Sequence, residues 1–595
     1  MSGDMLEKRG PESVGDSQRP GSDPEKSAQS SSANEVRPGE GYDSDDRSEE
    51  YQGGVQRVRA VTTLWSKKTL WIMFGVLYLV SFCDMLLVSI QSSLNPYITS
   101  SFGKHGLLAT TTIVSSIISG CSRLPLSKIM DVWGRAWGFL IMLLISTVGL
   151  IMKSTCRDVQ TYLGAHVLYW TGHIGLMYVI DVMLSDMTTL KNRMVMLSVT
   201  GTPTIASTFL GPRIAQAFYD NINFRWAYGS FAIIVVAVSV PVIAILVSYE
   251  RRASREGLIT KENHGRNWYQ QIYHVVVQLD LLGILLVTAA FALILLPFSL
   301  VSQAPNGWKT PYIPAMVATG VVVLGLFYLW EAFFAPVTFL PWKYLKEPTI
   351  LGSCLLYAVM FTSTYCWNNY FSSYLQVVHR LSITTSGYVL NAYMLSSAII
   401  SPLVAGAISY FGDYKWTAYI GVPTMLLGTG LLIPFRTPDT HIGLVTLTQV
   451  LVGIGSGLFT TCAQVAVMAV VSHQEVAVVL AIWGMFGSIG AALGLAIAGG
   501  IWNNILPHQL MVRLPEEDKA DYMSIFGDLV QQMAYPDGSD GREAVVGAYA
   551  FVQRRMVIAG AALMPLCALS IFVWKNVNLK RLEREKGAQT KGNVW

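Results

Sequence analysis

Asp84 and His173 are titratable residues within stretches that are otherwise largely apolar, VSFCDMLLVSIQ and HVLYWTGHIGLM. A titratable group at membrane depth is costly unless it meets a partner, a cavity or a ligand. A carboxylate and an imidazole each bind and release protons, so both residues are candidates for proton coupling. Two structural alternatives stay open: an ion pair of Asp84 with Arg123, and an inter-helix hydrogen bond of His173. Arg123 is the third candidate, as a group that steadies the carboxylate or an anionic ligand.

Aromatic and amide side chains are concentrated in the segment Tyr365–Val378, which reads YCWNNYFSSYLQVV and follows the apolar run Ile350–Phe361. Amides at membrane depth need partners, and a pocket for a large organic ligand needs aromatic faces and hydrogen-bonding groups. The alternative is an aromatic belt at the lipid headgroups, which suits Tyr374. We expect the deeper residues to face a pocket. The binding candidates in this segment are Trp367, Asn368, Asn369, Tyr370 and Tyr374.

A second polar and aromatic face lies on the fourth apolar run. Four of its residues have the spacing of one helix face, namely His166, Tyr169, Trp170 and His173. Asp181, further along the run, is expected to pair with basic residues of a neighbouring loop. Polar residues of other runs could line the same cavity or make contacts between helices. The further binding candidates are Tyr169, Trp170, Arg213, Asn391, Tyr393, Gln464 and Trp483.

The composition excludes a large soluble enzyme. The 595 residues are 52% hydrophobic and 13% charged, whereas soluble domains carry about 25% charged residues. About fourteen apolar runs of roughly twenty residues follow one another, and the weakest are 137–153 and 195–218. The sequence therefore predicts an all-α polytopic membrane protein in a lipid bilayer. The net charge of +4 gives no sign of a nucleic-acid partner.

Lysine and arginine are unevenly divided between alternate loops, with Lys153 and Arg436 assigned to the lean side. The positive-inside rule then places both termini in the cytosol. Within the longest external loop, PEEDKADYMSIFGDLVQQM has helical spacing and predicts an amphipathic helix, as a packed lid or for substrate capture. The expected segments are the disordered tail 1–65, the first transmembrane half 66–250, the cytosolic loop 251–279, the central and C-terminal helices 280–502, the extracellular loop 503–553, the last helix 554–574 and the cytosolic tail 575–595.

A charged turn, SKIMDVWGR, follows the second run. Gly134 permits a tight turn, while Asp131 and Arg135 can pair with a neighbouring helix end as a gating latch. The turn resembles the loop motif of the major facilitator superfamily, with Ser127 in place of the usual glycine and Val132 in place of the first basic residue. A poorer copy, YFGDYKW, follows the tenth run. The resemblance implies the fold of that superfamily, with about 14 transmembrane helices in two pseudo-symmetric halves and a substrate path between them.

Longer stretches resemble one fungal branch of this superfamily. YFSSYLQVVHRLSITTSGYVLNAY, STFLGPRIAQAFYDNINFRWAYGSFAI and the long last external loop are similar to the fungal siderophore–iron transporters, from about residue 60 to the end. The resemblance implies a monomeric transporter that imports ferric siderophores, mostly hydroxamates, by proton symport. It implies the plasma membrane as the location, with an endosomal or vesicle membrane as the alternative.

Other functions are less compatible with the sequence. No GxxxxGK[ST] pattern is present, so neither ATP nor another cofactor is expected. Seven scattered cysteines without CxxC or CxH spacing predict neither a metal site nor a disulfide framework. A proton antiporter that exports drugs or another small organic molecule is the alternative, but the fifth run retains only Gly211 and Pro212 of the glycine-rich antiporter pattern. A receptor would need a larger cytosolic domain, and an enzyme would need a catalytic constellation.

Overall fold

The computed structural model describes most of the chain except its N-terminal segment and short stretches elsewhere. Most of the predicted disordered tail 1–65 lies outside the described residues. Its last part is ordered, because Trp65 is buried and its ring meets that of Tyr249 edge-on at 6.2 Å. The prediction of disorder was wrong for this part. The described residues are 60–102, 108–258, 268–301, 304–472 and 475–586.

Within these described ranges, fourteen long helices cross the bundle, which confirms the predicted all-α membrane fold. Thirteen are long and apolar enough to span a membrane, and the other, Leu108–Trp133, packs against the helices on either side of it. Short connections make successive helices alternate in direction. In chain order, α1 to α14 are Lys67–Ser101, Leu108–Trp133, Arg135–Thr155, Val159–Asp186, Asn192–Asn221, Phe224–Arg255, Val276–Leu300, Tyr312–Phe334, Pro348–His379, Ile383–Phe411, Lys415–Phe435, Ile442–Ala469, Val476–Arg513 and Asp540–Phe572.

Both predicted long loops are shorter than expected. The segment 251–279 includes the end of α6 and the helix Trp268–Leu279. The predicted external loop 503–553 is largely helical, because α13 continues to Arg513 and α14 begins at Asp540. The predicted helix boundaries follow the apolar runs, so they exclude the charged residues at these helix ends.

The connection that remains, residues 514–539, is here called the cap segment. The amphipathic helix predicted within it is interrupted, because Asp528 is extended and its side chain accepts a hydrogen bond from the Val530 amide. A 3₁₀ turn and two helices of six residues take its place. We call the end of the bundle with this segment the cap end, and the end with the turn at Gly134 the latch end.

The helices form two halves, α1–α6 and α9–α14, that meet mainly where α2 packs on α13 and α5 packs on α10. Helices α7 and α8 pack against each other, and the pair lies beside α2 and α13. Near the cap end, Asn391 donates a hydrogen bond from Nδ2 to Ser89 Oγ at 3.2 Å, which joins α10 to α1. Near the latch end, the Tyr178 hydroxyl donates to the Ala477 carbonyl at 2.7 Å. The halves therefore touch at both ends.

Helices α3 and α4 approach each other through glycines. A Cβ at Gly172 would lie 2.3 Å from the Ser146 amide nitrogen, and one at Gly149 would lie 2.4 Å from that of Tyr169. Small residues at such contacts let two backbones come close enough for tight van der Waals packing in a membrane. This close packing fixes the height of α4 relative to α3, and α4 carries several of the candidate residues.

Helix α9 is broken near its cap end. Its regular part ends at Asn368, and a short helix, Phe371–His379, follows. The break leaves the Trp367 carbonyl without a helical partner, which would be costly in lipid. Arg436 Nη1 donates to this carbonyl at 2.8 Å, and Gln553 Nε2 donates to it at 3.0 Å. Arg436, which the sequence reading placed in an external loop, is buried and stabilises the break.

A Gly172→Leu substitution is expected to destabilise the protein by about 3 kcal/mol, because a side chain would overlap the α3 backbone. The measurement is the thermal midpoint of detergent-solubilised protein. Gly164→Leu is the matched control, since Gly164 lies on the same helix with nothing within 4 Å of its Cβ position. Equal midpoints for the two variants would contradict the proposed close contact.

Candidate functional site

The turn between α2 and α3 is built around Arg135. Its Nε donates to Asp186 Oδ2 at 2.8 Å, and its Nη1 donates to Asp131 Oδ1 at 3.1 Å. Gly134 has φ 97°, a conformation that favours glycine. The predicted pairing with a helix end therefore involves the end of α4. The partner is Asp186 rather than Asp181, which lies more than one turn deeper in the membrane.

The second copy of the turn, in the other half, also holds a helix end through side-chain hydrogen bonds. Gly412 ends α10 with φ 88°. Lys415 Nζ donates to the Trp574 carbonyl at 2.8 Å, and Asn578 Nδ2 donates to Asp413 Oδ1 at 3.2 Å. A charged loop thus holds the end of a following helix in both halves, in keeping with a pseudo-repeat.

Asp84 and His173 lie together midway along α1 and α4. Asp84 Oδ2 is 2.6 Å from His173 Nδ1, and both side chains are buried. The His173 ring is stacked on Tyr169 at 5.8 Å and meets the edge of Trp170 at 4.9 Å. Two groups that can exchange a proton therefore face each other in the first half of the bundle.

Arg123 does not pair with Asp84. Its guanidinium lies nearer the latch end, where it interacts electrostatically with Asp181 and Tyr357. A Cβ at Gly484 would lie 1.4 Å from Arg123 Nη1, so the glycine on α13 leaves room for the cation. The structural alternative of an Asp84–Arg123 ion pair is therefore not found, because Asp84 faces His173 and Arg123 faces Asp181 and Tyr357.

Helix α9 presents an aromatic row, here defined as Tyr357, Phe361 and Tyr365. The rings of Tyr357 and Phe361 are 4.7 Å apart, and those of Phe361 and Tyr365 are 5.8 Å apart. All three are partly exposed, although neighbouring positions of α9 pack on α12, α13 and α14. The Tyr357 end of the row meets Trp483 of α13 and interacts electrostatically with Arg123 of α2, so this end lies where the two halves meet.

Three predicted binding residues flank this row. Trp483 lies flat against the Tyr357 ring at 3.8 Å. The Tyr393 hydroxyl is 3.0 Å from Ser456 Oγ, and the Tyr393 side chain is partly exposed. Gln464 is partly exposed one turn beyond Thr460, whose hydroxyl donates to Met360. On the opposite half, Trp170 is also partly exposed.

Other predicted binding residues are packing residues instead. Trp367 is buried with its ring 5.0 Å from the Arg436 guanidinium, and Tyr370 is stacked on Trp502 at 3.9 Å. Tyr374 is buried against His379 at 5.4 Å, so it is not part of a lipid-facing belt. Trp367 precedes the break in α9 and lies on the buried face of the regular helix. The break accounts for Tyr370 and Tyr374, because it turns the residues that follow Asn368 away from the aromatic row and towards α13 and α14.

Two further predictions also change. Arg213 is exposed on the same face of α5 as Phe209 and Leu210, while the opposite face, with Gly211 and Pro212, is buried. It therefore points away from the bundle. Asn391 joins the halves through its hydrogen bond to Ser89. It is therefore a contact between α10 and α1 rather than a residue whose amide is available to line a cavity.

Asn368 and Asn369 are the polar residues of the segment that stay available. They are partly exposed at the break, three and four residues beyond Tyr365. Asn368 Oδ1 and Asn369 Nδ2 are buried and have no hydrogen-bond partner among the residues that the structure describes. One acceptor and one donor are thus free at the cap-end limit of the aromatic row.

The aromatic row was not among the residues predicted from the sequence. Its spacing of four residues in LYAVMFTSTY is the signal that could have identified it, whereas the prediction rested on the amides that follow. Lys153, predicted to lie in a loop, is buried in α3. Within the described part of the chain, no group of three His, Cys, Asp or Glu residues could hold a metal ion.

The chain is similar to solved transporter structures. The crystal structure of an auto-inhibited POT family peptide transporter superposes with a TM-score of 0.51 and 13% identity, over 85% of this chain and 98% of the other. A bacterial homologue of the human lysosomal transporter Spinster, in an inward-facing and unoccupied conformation, superposes with a TM-score of 0.50 and 15% identity, over 88% and 99% of the two chains. At these identities the likeness shows the fold alone.

Sequence comparisons are more specific. The model of the Major Facilitator Superfamily matches residues 77–349 and 353–506. An MFS siderochrome iron transporter 1 of Ajellomyces capsulatus is 60% identical over 94% of this chain and 97% of its own. The siderophore iron transporter mirB of Emericella nidulans is 40% identical over 91% and 90%. The chain therefore belongs to the major facilitator superfamily and, within it, to the family of the fungal siderophore iron transporters.

Proposed function

We propose that this protein imports ferric siderophores across the fungal plasma membrane by alternating access. The observation that carries the proposal is the 60% identity to a siderochrome iron transporter over nearly the whole of both chains. In this orientation the cap end faces outside and both termini lie in the cytosol. Lys153 and Arg436 are buried, and without them the cap-end loops are leaner in basic residues, as the positive-inside rule requires. We further propose that the transporter acts as a monomer.

The space beside the aromatic row has chemistry suited to a hydroxamate siderophore. A ferric trihydroxamate surrounds its iron with its own oxygen atoms and presents amide and alkyl groups outward. Tyr357, Phe361 and Tyr365 supply apolar faces, while Asn368 and Asn369 supply the free hydrogen-bonding atoms. Such a site binds the intact complex through its organic shell.

We assign proton coupling to the Asp84–His173 pair. Both residues are buried, yet they are flanked by Trp170, which is partly exposed. A proton bound here changes the charge of the first half, so the equilibrium between outward-facing and inward-facing states depends on its occupancy. A charge that must be neutralised before the halves move would link uptake to the proton gradient.

The direct test is uptake of iron-55 siderophores by yeast cells that lack their own siderophore transporters. Cells that produce this protein are expected to accumulate at least one of the fusarinine, ferrichrome or coprogen complexes, and a protonophore should abolish accumulation. Absence of uptake for the whole panel, together with efflux of an unrelated organic compound, would support export and overturn the proposal.

Asn369→Ala is expected to raise KM for the transported siderophore about fivefold, because one hydrogen bond is worth about 1 kcal/mol. The maximal rate should change little. Asn504→Ala is the control, since Asn504 is exposed on α13 and bonds only within its own helix at the Gly500 carbonyl. An unchanged KM for the Asn369 variant with every transported siderophore would remove this residue from the binding site.

Asp84→Asn is expected to abolish proton-driven accumulation while leaving exchange of labelled for unlabelled siderophore across the membrane. The amide keeps the shape of the side chain but cannot take up the proton. Asp158→Asn provides the control, since Asp158 caps α4 in an exposed position, where asparagine is an equally good cap. Full accumulation by the Asp84 variant would show that the coupled proton is bound elsewhere.

A further inference from the structure

Lys153 is a fully buried lysine near the cap end of α3. Its ammonium donates to Gln91 Oε1 at 2.7 Å and lies 3.0 Å from His166 Nδ1. No carboxylate of the described residues lies within ion-pair distance of it. The remaining contacts are aromatic, with ring centroids 4.7–5.3 Å from the ammonium nitrogen, and the rings belong to Tyr162, Tyr169 and Tyr228.

The contact between Lys153 and His166 restricts the number of excess protons that the two side chains can hold together. An ammonium is only a donor, and a histidine nitrogen can accept its hydrogen bond only when that nitrogen carries no proton. A doubly protonated pair at 3.0 Å would place two donors and two positive charges against each other. The geometry therefore excludes the doubly protonated pair, and when the pair holds one excess proton, Gln91 Oε1 favours it on the lysine side.

Tyr169 connects this pair to the proposed coupling site. The ammonium of Lys153 lies over the Tyr169 ring at 4.7 Å, and His173 is stacked on the same ring at 5.8 Å with 18° between the planes. The phenol also interacts electrostatically with Asp84. Its hydroxyl is buried and has no hydrogen-bond partner among the described residues. One tyrosine thus separates two protonatable pairs.

The other groups around Lys153 carry no charge. Helix α1 contributes the Gln91 amide, α4 contributes His166 and two tyrosines, and α6 contributes Tyr228. On α3 itself, the Cys156 thiol donates to the Lys153 carbonyl at 3.2 Å. Beyond this shell on the cap side, the Arg225 side chain donates to the Cys156 carbonyl at 3.0 Å, and both Arg225 and the Asp158 carboxylate interact electrostatically with the Cys156 thiol.

We propose that Lys153 is a second proton-carrying residue of the transport cycle, placed between the outside and the Asp84–His173 pair. In this step the Tyr169 oxygen accepts a proton from the Lys153 ammonium while the phenol's own proton passes to the Asp84 carboxylate, which yields a neutral amine, an unchanged phenol and a carboxylic acid. Lys153 then regains a proton from the cap end through His166. This inference rests on the proton-coupled import proposed above.

The test compares Lys153→Arg with Lys153→Met. Arginine keeps the positive charge and the contact with the rings but does not release its proton, whereas methionine is neutral throughout. Both variants are expected to retain siderophore exchange and to lose at least about tenfold in accumulation driven by a pH gradient, equivalent to 1.4 kcal/mol. Lys309→Arg is the control, since Lys309 is exposed in the turn between α7 and α8.

A purely structural lysine would behave differently. Full accumulation by Lys153→Arg would mean that a fixed cation suffices, and it would overturn the inference, as would equal loss of exchange and accumulation. Tyr169→Phe provides a second variant if neither lysine variant reaches the membrane, because it keeps the ring and removes the hydroxyl; it should lose accumulation and keep exchange, and full accumulation would overturn the route. Failure of the unsubstituted protein to take up siderophores would instead contradict the proposed function.

Discussion

The structure depends on one constraint: a polar group inside an apolar bundle is costly unless it finds a partner within the protein. The solutions differ along the chain. Arg135 is held by two carboxylates, Arg436 is held by a backbone carbonyl and an aromatic ring, and Lys153 is held by an amide, an imidazole and tyrosine rings. The first arrangement is a fixed ion pair. The Lys153 site lacks a carboxylate. The ion pair of Arg135 therefore serves to hold two helices together, whereas Lys153 is suited to carry a proton.

Titratable groups follow one another through the first half from the cap end to the latch end. Lys153 and His166 come first, Asp84 and His173 follow at mid-depth, and the latch at Arg135 comes last. They belong to helices α1, α3 and α4, which close glycine contacts hold at fixed heights. The aromatic row and its amides lie on α9, in the other half. Proton binding and siderophore recognition are thus assigned to different halves, and coupling between them requires that the halves move relative to each other.

Much of the fold could be predicted from the sequence, because apolar runs of about twenty residues are a direct consequence of bilayer thickness. The pairing of Asp84 could not be predicted, since periodicity gives the face of a helix but not the depth at which a neighbouring helix presents its residues. The same limit explains the placement of Lys153 and Arg436 in loops. The break in α9 was also hidden, because Asn368 and Asn369 read as ligand-binding amides and not as the end of a helix.

The break in α9 has a mechanical consequence. The short helix Phe371–His379 is attached to the cap segment, where Arg380 bonds the Met533 and Tyr535 carbonyls, and to α1, where the Tyr97 hydroxyl bonds Gln376. The aromatic row lies below the break, on an uninterrupted helix. Any opening of the cap end that moves this short helix must therefore break these bonds, whereas the aromatic row takes part in none of them.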